Sequence, residues 1–124
     1  MSKNETPNGK SIEPLRDFEV QAIRALVTQT LGEATTALVL AEAEFVSYEY
    51  TGCGYFLTIS HPDLPLDRSV CSGEYVVGRA IGFVAEFIVF IEDGRLVLEC
   101  YTCGDRVPAD FRDLDVTVSI NVLE

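Results

Sequence analysis

"FIVFIEDGRLVLECY", residues 87–101, decides the fold. Two apolar, strand-prone runs flank Asp93-Gly94, a dipeptide suited to a two-residue hairpin turn because both positions tolerate positive φ. Along 95–101 the side chains alternate: Leu96, Leu98 and Cys100 share one face, and Val97, Glu99 and Tyr101 share the other. The run 87–91 is apolar on both faces and asks for cover on both sides. The segment predicts an antiparallel hairpin.

Working outward, strand patterns recur on both sides. "EYVVGRAIGFV" (74–84) reads as a strand bent near Gly78 or Gly82. "EFVSYEY" (44–50) places Val46, Tyr48 and Tyr50 on one face and Ser47 and Glu49 on the other. "TGCG" (51–54) then turns the chain and "YFLTIS" (55–60) resumes as a strand, a second hairpin. "HPDLPLD" (61–67), with two prolines, is a loop, and "CGDRVPADFRDLD" (103–115) is another, with one helical turn after Pro108. "VTVSINV" (116–122) closes the chain as a strand.

The N-terminal third behaves differently. Leu15, Phe18, Ala22 and Leu26 recur at helical spacing, and Ile23 and Val27 widen the stripe. Glu19 is an exception, because it falls inside the apolar arc. The pattern predicts a helix over 14–31, with Pro14 in its first turn, Ser11 helping to cap it and Gly32 ending it. Beyond Gly32, "TTALVL" (35–40) is β-branched and apolar and reads as a strand, although 34–44 also allows the helix to continue. The expected architecture is therefore α+β: an N-terminal helix packed on a mostly antiparallel meander of about five or six strands.

The totals bound the function. A chain of 124 residues fits one domain, here 13–124, behind a flexible polar tail of residues 1–12. "MSKNETPNGK" lacks the apolar stretch of a secretory signal, and "AIGFVAEFIVFI" (80–91) is too short and too interrupted to cross a bilayer. A cytoplasmic protein with reduced thiols is expected. The net charge is −11, from 20 acids against 9 bases, with no basic stripe, which argues against nucleic acid and favours a basic protein partner.

The residues able to carry chemistry are few. Cys100 and Cys103 form the sole Cys-x-x-Cys pair, but on an extended strand their backbones stand about 10 Å apart and point oppositely. No helix start follows to lower a thiol pKa. Zinc would need Cys53 and Cys71 in addition, with His61 in reserve, yet only half of the usual two-pair spacing is present. Cys100 is better read as filler beside Leu96 and Leu98. His61 is the only histidine and has no nucleophile framework around it, so it reads as a loop residue before Pro62. Asp110, Asp113 and Asp115 with Arg106 and Arg112 match no calcium loop and read as solvated charges. "TGCG" lacks the following helix that a phosphate site needs.

No catalytic residue and no cofactor is indicated. What stands out is an excess of apolar strand over helix, since one helix cannot cover both faces of such a sheet. Either the sheet rolls into a partial barrel or another chain covers it, and a homodimer or a complex through the sheet is expected. The leading expectation is a non-enzymatic interaction module, inhibitor-like toward a basic partner. The alternative is a small-ligand or zinc-binding domain, or a small enzyme, using Cys53, His61, Cys71, Cys100 and Cys103.

"YTGCGYFLTIS" (50–60) and "FVAEFIVFIEDGRLVLECYT" (83–102) together resemble an uncharacterised group of small acidic bacterial α+β proteins. The resemblance covers about residues 45–105 and implies the fold without an activity. Small acidic α+β chains of this kind are also similar in class, not in motif, to immunity proteins that neutralise toxins.

Overall fold

The 87–101 segment forms the expected hairpin. In the computed structural model, which describes residues 15–72 and 75–121, β5 (Phe83–Glu92) and β6 (Arg95–Tyr101) are joined through Asp93 and Gly94, at φ of 56° and 75°. Two consecutive positive φ values match the right-handed twist of the strands. The same turn anchors the proline loop, since the Asp93 and Gly94 N–H groups donate to the carbonyls of Leu66 and Pro65.

Five further strands complete an antiparallel sheet: β1 (Glu44–Tyr50), β2 (Gly54–Ser60), β3 (Ser69–Cys71), β4 (Tyr75–Ala80) and β7 (Thr117–Asn121). Their order is β1-β2-β6-β5-β4-β7. The far edge of β5 is shared, with β3 opposite residues 89–91 and β4 opposite 83–86. The described sheet has seven strands, slightly more than expected, because β3 is too short to show an alternation. Gly82 lies in a two-residue turn between β4 and β5, whereas Gly78 stays within β4. The pairing of β1 with β2 shifts register between Phe45 and Ser47. This bulge at Val46 leaves that side chain exposed, so it does not share the half-buried positions of Tyr48 and Tyr50.

Helix α1 spans Asp17–Leu31, three residues shorter at its start than expected. The roles foreseen for Ser11 and Pro14, and the tail 1–12, lie outside the described residues. The chain then bends at Gly32 and resumes as α2 (Glu33–Glu42). The strand reading of 35–40 is therefore corrected. Glu33, Ala34, Ala37, Ala41 and Glu42 are strong helix formers, and Thr36 and Val39, three apart, turn one stripe inward.

Both helices lie on one face of the sheet. Phe18, Ala22, Ile23 and Val27 of α1 and Val39 of α2 close over Leu57, Phe87, Val89, Ile91 and Leu98. Each large side chain so buried contributes about 1.5–3 kcal/mol. Phe111, in a 3-10 turn (Phe111–Asp113), seals one end by meeting Phe18 and Phe83 edge-on. No described helix is long and apolar enough to cross a membrane.

Candidate functional site

The thiols do not converge. Cys100 points into the core and is 1% exposed, while Cys103, past the end of β6, is exposed beside Glu86. Cys71 is buried on β3, where its thiol donates to Thr30 Oγ1, and Cys53 is half-buried in the β1–β2 turn. Burial pushes the Cys100 thiol pKa up, so it stays protonated. Among the described residues, no three His, Cys, Asp or Glu side chains are grouped to hold a metal ion. The "TGCG" turn is tied instead to the segment after β6: Thr102 N–H donates to Cys53 O and Val107 N–H to Gly52 O.

His61 lies in the loop after β2, as its sequence suggests, but it is buried there. Its side chain is 5% exposed, Nδ1 accepts the Asp63 N–H at 3.0 Å, and Nε2 lies 3.0 Å from Glu42 Oε1. Because Nδ1 is an acceptor, the proton sits on Nε2 and is donated to Glu42. Both ring nitrogens are thus engaged. The ring forms part of the wall of an open cleft of about 880 Å³, together with Leu38, Glu44, Leu66 and Asp93.

The loop charges separate into two kinds. Asp110 and Asp115 are exposed, and Asp113 binds Arg16 Nη2 at 2.6 Å near the surface. Arg112 is buried, contrary to the solvated reading. Its guanidinium grips Glu19 at 2.6 and 2.8 Å, with Tyr48 stacked over it at 5.6 Å. Glu19 also accepts the Arg16 N–H at 2.8 Å and the Tyr55 hydroxyl at 2.5 Å. Four donors therefore satisfy its two oxygens, which explains how a carboxylate fits within the apolar stripe of α1. Burial, reinforced by the Glu19 charge, raises the Tyr55 pKa and keeps that hydroxyl a donor. This network is structural.

The sheet face opposite the helices presents an extended apolar surface with charge built into it. In register across the strands, Phe56 of β2 faces Glu99 of β6, which faces Ile88 of β5. The next row is Thr58, Val97, Phe90 and Val70. These side chains are half-buried, apart from the exposed Val70, and no described helix lies over them. Beyond Glu99 come Tyr101 and Glu86, whose carboxylate accepts the Tyr101 hydroxyl at 3.4 Å and lies 3.6 Å from Cys103 Sγ. Partial burial raises the Glu99 pKa. Burial first, then Glu86, raises that of Tyr101. The alternation of 95–101 had already placed Val97, Glu99 and Tyr101 together. Their neighbour Phe56 escaped notice because β2 and β6 are far apart in the chain, whereas Ile88 opposite Glu99 follows from the β5–β6 hairpin.

No family model, curated protein or solved structure matches the chain.

Proposed function

We propose that this chain is a non-enzymatic docking module that takes a basic protein partner on the helix-free face of its sheet. The observation that carries the reading is Glu99, a carboxylate half-buried among apolar side chains at the middle of that face. An apolar surface with embedded negative charge suits a partner that brings apolar side chains and cations together. The net charge of −11 adds long-range attraction for such a partner, and it opposes pairing two copies of the chain face to face. The engagement of both His61 nitrogens supports a binding role over proton-transfer chemistry. Inhibition of a basic toxin is one biological form this docking takes in the reading.

The test is a titration of isotope-labelled full-length protein with a short peptide alternating arginine and leucine, and with its glutamate-for-arginine counterpart. Amide shifts confined to β2, β5 and β6, weakened by salt and silent with the acidic peptide, are expected. Shifts confined to the helical layer, or none, overturn the reading. So does a salt-independent dimer in light scattering that Ile88→Lys dissolves, since the face would then serve a second copy.

A further inference from the structure

We infer that Glu99 is the receptor for a single arginine side chain of the partner, and that it selects arginine over lysine. This rests on the docking reading above and specifies its central contact. On β6, Val97 and Tyr101 stand two residues either side of Glu99 on the same face; across the strands stand Phe56 and Ile88. The carboxylate is therefore ringed by four side chains, two aromatic and two aliphatic, and no described residue donates a hydrogen bond to it or offers it a cation. The nearest arginine along the strand on that face is Arg95, four positions away, about 13 Å. Arg95 also lies in register with Glu92, in a polar row with Ser60 at the rim.

Such a ring treats the two cations differently. A lysine ammonium is compact and strongly hydrated, and an apolar surround cannot replace the water it loses. A guanidinium is weakly hydrated and planar: its edge gives a carboxylate two parallel N–H donors, while its faces lie against aromatic rings. Phe56 and Tyr101, on adjacent strands beside Glu99, supply those rings. Partial burial that raises the Glu99 pKa also means that an incoming cation meets a carboxylate already short of water, so little hydration has to be stripped on docking. A buried arginine at the middle of an interface, with an apolar surround excluding solvent, is the arrangement in which one residue dominates affinity.

The experiment uses three peptides of identical apolar sequence, each with one central residue: arginine, lysine or citrulline. They are titrated into the full chain and into Glu99→Gln and Asp17→Asn, the last altering an exposed acid on the helical side. Arginine is expected to bind the native chain at least about tenfold more tightly than lysine, with citrulline weaker still. Glu99→Gln, which keeps the shape of the side chain, should erase that difference, while Asp17→Asn should retain it. Binding should also shift the Glu99 carboxyl carbon and lower its titration midpoint. Equal binding of the arginine and lysine peptides, or a preference surviving Glu99→Gln, overturns the arginine receptor while leaving the docking face standing. Failure of every peptide to shift the face removes the docking reading itself.

Discussion

Glu19 and Arg112, 93 positions apart, meet as a buried ion pair with two hydrogen bonds of 2.6 and 2.8 Å. It ties α1 to the loop before β7. Removing either partner leaves the other charge buried and unpaired, so Arg112→Ala or Glu19→Ala is expected to cost about 3–5 kcal/mol. Arg112→Lys should recover little, because an ammonium cannot reproduce the fork that holds both carboxylate oxygens. Urea unfolding followed by circular dichroism measures each cost. A loss below about 1 kcal/mol for Arg112→Ala, the range of an exposed pair, would show the pair to be solvated.

Gly54 begins β2 opposite Tyr101. A Cβ added there would stand 1.8 Å from the Cys100 carbonyl oxygen, and backbone cannot yield as a side chain does. Gly54→Ala is therefore expected to destabilise by about 3 kcal/mol or more and to loosen the β2–β6 pairing. Amide exchange along β6, from Leu98 to Tyr101, should accelerate selectively. Unchanged protection there would contradict the close approach.

How much of this was legible in the sequence depended on the range of each interaction. The β5–β6 hairpin was readable because its signal is local: Asp93-Gly94 must supply positive φ, and the strands alternate on either side. Helix α2 was half-legible. Its β-branched and apolar residues imitate a strand, and what decides for helix is contact of Thr36 and Val39 with the interior, which no window of sequence displays. The bulge at Val46 reversed one side chain in an otherwise correct alternation. Glu19 advertised itself by sitting in an apolar arc, yet Arg112 gave no matching sign, so the loop charges all looked solvated. The helix-free face was legible only as a shortage of helix, reckoned on one helix rather than two, which left a rolled sheet and a covering chain both open. Its composition was only partly legible: the hairpin register sets Ile88 opposite Glu99, but the pairing of β2 with β6 that adds Phe56 arises only after folding.

The four thiols should differ sharply in reactivity. Cys71 and Cys100 are buried and should resist iodoacetamide until the protein unfolds. Cys103 is exposed, but the hydrogen bond from its thiol to Glu86, and then the charge of Glu86, raise its pKa. A raised thiol pKa means less thiolate at a given pH, so Cys103 should alkylate slowly for an exposed cysteine. Glu86→Gln weakens the bond and removes the charge. The Cys103 rate should then increase severalfold and its pH profile move to lower pH, read by mass spectrometry of the labelled peptides. An unaltered profile would mean that Glu86 does not control the thiol.

Glu99 should make the protein more stable once neutralised. Partial burial raises its folded-state pKa above the unfolded value, so the folded chain prefers the protonated form. The protonated side chain's advantage is complete below the ordinary glutamate pKa of about 4.3 and disappears as pH rises through the folded value. At neutral pH the native chain therefore carries a carboxylate held against its preference, on a face that also bears Glu86 and Glu92 of β5, Glu44 and Glu49 of β1 and, at its rim, Arg95. Glu99→Gln keeps the shape without the charge and should raise the melting temperature at pH 7. The difference between the two proteins should shrink toward zero as pH falls to 4 and below. A Glu99→Gln chain less stable than native at pH 7 would mean that the carboxylate has a favourable partner within the fold, and the face would lose its claim to an unmet negative charge.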